Sequence, residues 1–582
     1  MGVSGLQTWA EEHAKLGRRV TLQHDAVPKT IIVDAGAGML ELFSHKSLVG
    51  DFDALRRSVR QFVAQFAAVN VRLVVVIDGV VPLEKFGTWL SRRRKEVRAV
   101  AQLNAACRGG AGERSKGFVW LPPAFSQTYL GQAFRDAGCD VVFSAVEADR
   151  EVAGLALQLN AFGVLGYDSD YLVLPCGDEC LYLSLHSLGF NRGSRVLTAT
   201  AFRRRDVFDR LCLPARALPL LAAALGFDLH KRSRALVSEL ELLVDASHVV
   251  EVAAATLRRR IAAGGTEALE PRDAREVAAL EWFTPAAVPG YTPGDKSLTR
   301  PHVATLLRRA TFVGPLCFEN LSPPYGESIF HATRQLRAAV YARLFRADGA
   351  GAAQPPPCEV VTELLCSARR PIDDWAWEPH DFSGSPRALH PSDVLARAGP
   401  GVPRAVALAR HVVERWLLPN HVSAAHAAAL VAQAHPETRA QVADAGFRPS
   451  QLRRVRPADA HAASLFLVAM DCFLWAAGEN EDAPVWELFC GPTFHVLCDP
   501  PLANRRSYLS AATKLGGAPP AVRVDGQRPP PKRNAASASL LCCARSSLRA
   551  CAGGACAPRI RRLPTHHGGT VLTVQPMFGR TR

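Results

Sequence analysis

Two closely spaced pairs of acidic residues constrain the fold of this 582-residue chain more than any other feature. The pairs are Glu147/Asp149 and Asp168/Asp170, and both lie in VEADREVAGLALQLNAFGVLGYDSDYLVL (residues 146–174). A helix-like run and a short apolar strand separate them. Carboxylates at this density in apolar surroundings lose hydration and repel one another unless a cation holds them. The segment therefore predicts a buried α/β framework that carries a cation-binding site.

Acidic residues also follow the other apolar strands of the N-terminal third. The apolar stretches and their acids are KTIIV (29–33) before Asp34, VRLVVVI (71–77) before Asp78, CDVVF (139–143) before the first pair, and GVL (163–165) before the second. Continuous apolar strands that alternate with helices predict a parallel sheet covered by helices on both faces. Because the carboxyl ends of parallel strands meet at one edge, we expect the acids to line one crevice.

Helix capping is the alternative explanation for these acids. It accounts equally well for Asp34 or Asp78 taken alone, but the whole set would repel itself without compensation. Carboxylate oxygens are hard ligands that favour Mg²⁺ or Mn²⁺ over zinc, so the sequence predicts one or two such ions. Two ions about 4 Å apart activate a water and stabilise the leaving oxygen in phosphodiester cleavage.

A basic segment follows Asp78. Lys85 and Arg92 are seven residues apart and therefore share one face of a predicted helix. Four more basic residues follow in the same stretch: Arg93, Arg94, Lys95 and Arg98. Beside an acidic crevice this face is suited to bind a phosphate backbone, and a solvated charged helix is the alternative.

Several motifs within residues 1–231 resemble those of one known superfamily. They are the start MGVSGL, the strand-end Asp34 and Asp78, Glu147-Ala148-Asp149, Asp168-Ser169-Asp170, and Asp228 in ALGFDLH. This set resembles the flap endonuclease / xeroderma pigmentosum group G nuclease superfamily, which has a PIN-like α/β fold. FVWLPPAF, EADREVA and GVLGYDSDYLVL are most similar to the asteroid proteins and the constitutive coactivators of PPAR-gamma, and WLSRRRKEVR indicates the coactivator group.

The resemblance implies roles for particular residues. Asp228 would complete the metal site, Lys85 and Arg92 would act on the scissile phosphate as catalytic residues, and Gly2 would contact nucleic acid. After Asp228 the chain reads LHKRSRALVSELELLV, without the Gly-x-Gly helix–two-turn–helix of the nucleases. The resemblance therefore does not extend to that duplex-binding element.

Two functions follow from these observations. The first is a Mg²⁺- or Mn²⁺-dependent, structure-specific nuclease that acts on DNA or RNA, whether single-stranded or branched. The alternative is a non-catalytic nucleic-acid-binding or nuclear-receptor coactivator scaffold that keeps the nuclease fold. An ATP-dependent enzyme is disfavoured, because the sequence has no Gly-x-x-x-x-Gly-Lys-Ser/Thr loop.

Composition divides the chain into five expected regions. They are a nuclease-like domain (1–234), a helical extension (235–347), a linker (348–358), a second helical region (359–515) and a disordered basic tail (516–582). From Thr513 onward the chain has twelve basic residues and one acidic residue, Asp525. This segment therefore carries most of the net charge of +15. This tail suits nuclear import or nucleic-acid contact, and a solubilising tail is the alternative. Cys542, Cys543, Cys551 and Cys556, with His566 and His567, have the elements of a zinc site, but their spacing fits no usual pattern of paired ligands, so zinc binding here stays open.

The remaining expectations concern location and partners. No apolar run reaches the roughly 20 residues of a membrane span, and the N-terminus lacks an apolar signal core. The 15 cysteines are therefore expected to be mostly reduced thiols. We expect a nuclear protein, with cytoplasmic presence also open. Nuclear protein partners are expected to bind the helical half, and PIDDWAWEPHDFSGSP (371–386) is either a docking segment or a packed loop.

Overall fold

The computed structural model describes most of the chain before residue 499. The described residues are 2–36, 50–79, 85, 88, 89, 91, 92, 95, 100, 123–191, 195–230, 249–288, 290–294, 311–313, 318, 329–345, 358–360, 378–379, 388–418, 421–444, 456–476 and 484–498. They belong to one compact unit that spans Met1–Gly526. The basic tail and nearly all of the expected linker lie outside the described residues.

A seven-stranded sheet organises the N-terminal half. Its strands are β1 (Arg18–Leu22), β2 (Lys29–Asp34), β3 (Val71–Ile77), β4 (Asp140–Phe143), β5 (Gly163–Gly166), β6 (Leu181–Asn191) and β7 (Val196–Arg203). Their order is β1-β7-β6-β5-β2-β3-β4. Strands β2 to β6 are all parallel, whereas β7 pairs antiparallel with both β6 and β1.

The parallel part of the sheet confirms the prediction from the four apolar stretches. β1 and β7 correct it, because they make the sheet mixed rather than wholly parallel. Their sequences, RRVTL and VLTATAFR, mix polar and apolar residues: β1 is the edge strand and is mostly exposed, and β7, the strand beside it, alternates in burial. A search for continuous apolar runs passes over strands of this kind.

Helices cover both faces of the sheet and form the rest of the chain. In the described residues they are α1 (Leu6–Thr8), α2 (Phe52–Ala67), α3 (Ser126–Asp136), α4 (Ala148–Gln158), α5 (Arg204–Leu211), α6 (Leu218–Leu225), α7 (Val249–Gly264), α8 (Ala274–Trp282), α9 (Ile329–Ala332), α10 (Arg334–Phe345), α11 (Pro391–Ala398), α12 (Arg404–Val412), α13 (Ala424–Ala432), α14 (Pro436–Asp444), α15 (Pro457–Leu474), α16 (Val485–Leu488) and α17 (Gly491–Cys498). Short 3₁₀ or π turns extend this set: Trp9–His13, Ser169–Leu172, Ala215–Ala217, Gly265–Leu269 and Val413–Leu417.

Alternation along the central strands divides the interior into two cores. Ile31, Val33 and Val75 face a core that also holds α2, α3 and the helices from α9 onward. Ile32 and Val74 face the opposite core, which holds α4, α6, α7 and α8. The described helices that follow residue 234 therefore cover both faces of the sheet.

A small second sheet lies in the C-terminal half. Its strands are β8 (Thr311–Val313), β9 (Cys358–Val360) and β10 (Glu378–Pro379). β9 pairs in parallel with β8 and antiparallel with β10. In the segment 371–386 only Glu378–Pro379 are described, and they form this edge strand. Among the described helices none is long and apolar enough to cross a membrane.

Candidate metal centre

The sheet presents carboxylates at the carboxyl ends of its parallel strands. Asp34 is the last residue of β2, and Asp78 follows β3 directly. Glu147 and Asp149 lie at the start of α4, which follows β4. Asp168 follows β5 and caps the 3₁₀ turn that contains Asp170. These acids act on one another electrostatically and lie at the same sheet edge.

Asp149, Asp168 and Asp170 form the tightest cluster, which we call the carboxylate cluster. One carboxylate oxygen from each lies within 4.8 Å of the others. Asp149 is 9% exposed and Asp170 only 1%. The Tyr171 hydroxyl donates a hydrogen bond to Asp149 Oδ1 over 2.9 Å. Such a buried set of oxygens is the ligand set that a hard divalent cation requires.

One oxygen of the carboxylate cluster indicates whether these residues suit a bound cation. Asp170 Oδ1 is buried and has no hydrogen-bond partner among the described residues. The other oxygen, Oδ2, accepts a hydrogen bond from Trp282 Nε1 at 3.5 Å. A buried carboxylate oxygen without a donor is costly, and coordination to a metal ion removes that cost. The residues therefore fit a divalent ion.

Burial raises the pKa of most carboxylates in this site. Burial first, and then the neighbouring Asp78 charge, raises the pKa of Asp34 to about 7. Burial also raises the pKa of Glu147 to about 7, although Lys85 opposes it. The pKa values of Asp149 and Asp170 rise well above the ordinary value, because burial and nearby carboxylates both disfavour ionisation. A bound cation would reverse this preference.

Asp228 forms a second group with two cations. Lys85 Nζ lies 3.1 Å from Asp228 Oδ2 and also forms an ion pair with Glu147. Arg92 donates to Asp228 Oδ2 over 2.9 Å, and the Thr88 hydroxyl donates to the Asp228 carbonyl over 2.8 Å. Although burial opposes it, Lys85 and Arg92 lower the pKa of Asp228. Both cations therefore lie against the acidic site.

The pairing of Lys85 and Arg92 with one carboxylate agrees with their seven-residue spacing. Residues 88, 89, 91, 92 and 95 are helical. The pKa of Lys85 is raised, because the charges of Glu147, Asp149 and Asp228 outweigh its burial. Lys85 therefore remains an ammonium ion at the rim of the carboxylate cluster. Of the four further basic residues expected to bind nucleic acid, Lys95 is exposed, whereas Arg93, Arg94 and Arg98 lie outside the described residues.

The N-terminal turn approaches the carboxylate cluster very closely. Gly2 has a φ of +83°, and a Cβ added there would lie 1.7 Å from Asp168 Oδ1. The Ser169 hydroxyl donates to the Val3 carbonyl over 3.2 Å, and the Ser4 amide donates to the Gly226 carbonyl over 2.9 Å. Only glycine combines this backbone conformation with this distance. Gly2, expected to bind nucleic acid, lies directly beside Asp168.

An open cavity of about 610 Å³ lies beside this turn. Its lining combines the N-terminal turn with the segment that carries Asp228, and includes Gly2, Gln7, Ser169, Phe227 and His230. Of the acids in the site, Asp228 lines this cavity, and Gly2 and Ser169 in the lining lie next to Asp168. The cavity provides a place where a substrate segment can approach the site.

Trp282 is a site residue that the sequence analysis missed. Its indole donates to Asp170 Oδ2, and Lys85 Nζ lies 5.1 Å from its ring centroid. It comes from the end of α8, 112 residues after Asp170. No local pattern marks a tryptophan in an amphipathic helix as part of a site formed so far away in sequence. Tyr171, next to the Asp-x-Asp motif, could have been suspected as a donor from its position alone.

Close backbone contact with α4 brings Trp282 to the site. The Ala286 amide donates to the Arg150 carbonyl over 2.9 Å, and Arg150 Nε donates to the Thr284 carbonyl over 2.8 Å. A Cβ on Gly154 would lie 1.9 Å from the Ala286 carbonyl oxygen. The mid-helix glycine of α4 therefore has a packing reason, although glycine costs about 1 kcal/mol in a helix interior.

Glu151 supports the loop that carries Glu147. Glu151 is 1% exposed, and its carboxylate accepts hydrogen bonds from the Ala145 and Val146 amides. Burial raises its pKa, and these two bonds oppose the shift. Glu151 therefore orients the loop and does not belong to the carboxylate cluster. The sequence alone does not distinguish this supporting acid from the candidate metal ligands Glu147 and Asp149.

Comparison with known proteins finds relatives of the N-terminal region. No protein-family model matches the chain. It is 31% identical over 216 residues to the constitutive coactivator of peroxisome proliferator-activated receptor gamma from Bos taurus, covering 37% of this chain and 30% of the relative. It is 28% identical over 178 residues to protein asteroid from Drosophila melanogaster, covering 30% and 19%. It is 26% identical over 239 residues to the single-strand DNA endonuclease ASTE1 from Danio rerio, covering 39% and 32%.

These relatives confirm the resemblance to the asteroid and coactivator branch. The matched segments span no more than about a third of each of these relatives' own lengths. Among solved structures, the chain is 17% identical to the catalytic core of Rad2 in complex with DNA substrate, with a TM-score of 0.32, over 52% of this chain and 91% of that one. It is 15% identical to human GEN1 in complex with Holliday junction DNA, with a TM-score of 0.27, over 61% and 83%.

Proposed function

We propose that this protein is a metal-dependent nuclease that cleaves phosphodiester bonds in DNA or RNA. One observation carries the proposal, namely the carboxylate cluster beside two cations, in which the buried Asp170 Oδ1 has no donor within the described part of the chain. A buried acidic cluster that needs a cation, with ammonium and guanidinium groups at its rim, suits a phosphodiester substrate. The relative named single-strand DNA endonuclease supports the same class.

The carboxylates divide into two sets for binding one or two Mg²⁺ or Mn²⁺ ions. Asp149, Asp168 and Asp170 would hold the first ion. Asp34, Asp78, Glu147 and Asp228 would hold the second. When bound, the ions supply Lewis acidity that activates water and stabilises charge on a phosphate.

The chain's own residues orient the site and the substrate. Tyr171 and Trp282 donate to carboxylate oxygens and so fix the directions of Asp149 and Asp170. Lys85 and Arg92 are paired with Asp228 in this structure. When substrate binds, some of their N–H groups would donate to the scissile phosphate and stabilise the negative charge that develops on it. Gly2 leaves room for a backbone next to Asp168. Lys95, Arg93, Arg94 and Arg98 would bind the flanking phosphates.

Single-stranded or branched nucleic acid is the proposed substrate. The sequence lacks the glycines of the usual duplex-binding motif after Asp228, and one relative is named for single-strand DNA. We propose a nuclear location, since the relatives include receptor coactivators and the C-terminal sequence is strongly basic. We also propose that residues 1–234 form the nuclease-like region and that residues 235–347 and 359–515 form helical regions packed with it.

A non-catalytic scaffold is the second candidate. Three relatives are named as constitutive coactivators of peroxisome proliferator-activated receptor gamma, a name that indicates binding to other proteins rather than cleavage. In this case the acidic site would contribute to stability or nucleic-acid binding, and the helical half would bind nuclear protein partners. The two candidates differ in whether bonds are broken.

A cleavage assay separates them. Labelled single-stranded, flapped and bubbled DNA and RNA are incubated with the full chain in Mg²⁺, Mn²⁺ or EDTA. Asp168→Asn/Asp170→Asn removes two ligands but keeps side-chain size, and we expect at least about a thousandfold loss of rate. Asp209→Asn is the control, because Asp209 is an exposed aspartate that pairs only loosely with Arg205 at 3.4 Å.

The outcomes are distinct. Metal-dependent cleavage that the double variant loses and Asp209→Asn keeps would support the nuclease, and the preferred substrate would define its class. Cleavage that persists in the double variant would place the activity elsewhere or in a contaminant. Retained nucleic-acid binding without cleavage by the parent chain would favour the scaffold.

A further inference from the structure

A second group of metal-ligating side chains lies in the C-terminal helices, far in sequence from the acidic site. His426 comes from α13, Asp459 from α15 and Cys498 from α17. One ligand atom from each lies within 4.8 Å of the others. His426 Nε2 lies 3.0 Å from Asp459 Oδ1, which is close to the separation of two ligand atoms about 2.0–2.1 Å from one zinc ion.

The imidazole of His426 is already oriented for coordination. Its other ring nitrogen, Nδ1, lies 3.0 Å from the Ser423 hydroxyl. Zinc-bound histidines use this arrangement, in which the outer nitrogen is held by a hydrogen bond and the inner one faces the metal. Ser423 also caps α13 by accepting from the His426 amide, so the pair is fixed to the start of the helix.

The aspartate has a partner of the same kind. Arg456 Nε donates to Asp459 Oδ2 over 2.8 Å, while its NH2 group donates to Oδ1 over 2.8 Å. Arg456 also donates to the Cys498 carbonyl and so connects α15 with the end of α17. A metal at Oδ1 would replace the direct His426 contact and the second of the two Arg456 bonds. The Oδ2 bond would remain and orient the carboxylate.

Helix geometry suggests His495 as a fourth ligand, although its ring nitrogens are not part of the 4.8 Å group. His495 precedes Cys498 by three residues in α17, so the two side chains lie on the same face. Both are nearly buried, at 2% and 6% exposure.

We propose that His426, Asp459 and Cys498, with His495 as the fourth ligand, bind one zinc ion that joins α13, α15 and α17. The thiol, imidazole and carboxylate donors favour zinc, whereas the all-carboxylate site at the sheet favours magnesium or manganese. Binding would release the Cys498 thiol proton to solvent. The ion would stabilise the helical half. This proposed role is independent of the proposed nuclease activity.

The test uses the full chain with the four tail cysteines, Cys542, Cys543, Cys551 and Cys556, replaced by serine. The protein is stripped of metal and titrated with Co²⁺ and with Zn²⁺. We expect one tight site with a thiolate-to-cobalt charge-transfer band in the near ultraviolet. The carboxylate cluster has no thiol and cannot produce this band.

Two variants and a control complete the test. Cys498→Ser should abolish the charge-transfer band, and His426→Gln should weaken zinc binding at least about tenfold. Cys490→Ser is the control, because Cys490 lies in the same region with its thiol 3.1 Å from the Thr493 hydroxyl and outside the proposed ligand set. If Cys498→Ser fails to fold by circular dichroism, the His426→Gln affinity decides the outcome.

Some results would overturn the proposal. Absence of a charge-transfer band in the parent chain, or a band that survives Cys498→Ser, would mean that these residues form a hydrogen-bond network only. Unchanged zinc affinity in His426→Gln would mean the same. Loss of the cobalt band together with intact nuclease activity would support the zinc site and leave the proposed nuclease function unaffected.

Discussion

Asp34 shows how a single half-buried carboxylate connects stability with metal binding. It ends β2, and burial together with Asp78 raises its pKa to about 7. The folded protein without metal therefore holds a proton there that the unfolded chain releases near pH 4. Sites of this kind are destabilising when charged and empty, and they become favourable once a cation shares the charge.

Replacing Asp34 by Asn should change how stability depends on pH. Because the folded pKa is raised, the contribution of Asp34 is most favourable below about pH 4 and is lost as pH rises towards 7. Asn does not titrate, so in EDTA the variant should gain stability over the parent from pH 4 to 7, by at most about 4 kcal/mol. Urea unfolding at several pH values measures the difference, with Asp209→Asn as control. Parallel pH profiles for Asp34→Asn and the parent would contradict the assignment.

Gly2 allows a matched pair of substitutions. Gly2 and Gly5 both have positive φ, +83° and +76°, but a Cβ at Gly5 meets nothing within 4 Å, whereas one at Gly2 meets Asp168 at 1.7 Å. Both alanine variants share the backbone strain, of order 1 kcal/mol. Only Gly2→Ala displaces Asp168, so we expect it alone to weaken Mn²⁺ binding, by about tenfold or more. Calorimetric titration gives both affinities, and equal losses in the two variants would contradict the close approach.

The order of acids and apolar strands in the sequence predicts much of the parallel sheet. β2, β3 and β5 and the acids at their ends follow from continuous apolar runs, because such strands are buried on both faces. β4 is also an apolar run, although it lies at an edge of the sheet and is only half-buried. β1 and β7 do not, since their polar residues interrupt any apolar run and so remove that signature. The position of α8 cannot be predicted from the sequence either, because the contact between Gly154 and Ala286 depends on tertiary packing rather than on a local pattern.

The docking of α8 against α4 predicts a role for the Trp282 indole. Trp282→Phe keeps an aromatic ring under Lys85 but removes the donor to Asp170 Oδ2. The pKa of Asp170 should rise further, since burial and nearby acids already raise it and the indole opposes them. Loss of a weak hydrogen bond of about 0.5–1 kcal/mol should lower Mn²⁺ affinity roughly twofold to fivefold, more at pH 6 than at pH 8.

The matched control for this variant lies in the helical half. Trp486, like Trp282, is 6% exposed, but it stacks under Arg56 and has no contact with the carboxylate cluster among the described residues. Trp486→Phe should leave Mn²⁺ affinity and its pH dependence unchanged. A similar change in both variants would show that Trp282 acts through general stability rather than through Asp170.

At the scale of the whole molecule, the C-terminal helices complete one face of the sheet. Phe489 packs on Phe52 of α2 with ring centroids 6.3 Å apart, and Trp475 packs on Phe125 at 6.2 Å. The buried Gln132 side chain accepts a hydrogen bond from the Val485 amide over 3.2 Å. Contacts between residues more than 340 positions apart cannot be read from sequence periodicity, which reports only one element at a time.

This packing predicts that the nuclease-like region does not fold well alone. A chain of residues 1–234 would expose the apolar face of α2 and α3 that the C-terminal helices bury, and exposed apolar patches of that kind promote association. We expect it to bind the dye ANS, to aggregate and to unfold with low cooperativity, whereas residues 1–526, the compact unit, should match the full chain. Circular dichroism, ANS fluorescence and light scattering compare the two. A monomeric, cooperatively folded 1–234 chain without ANS binding would instead establish that region as an independent domain.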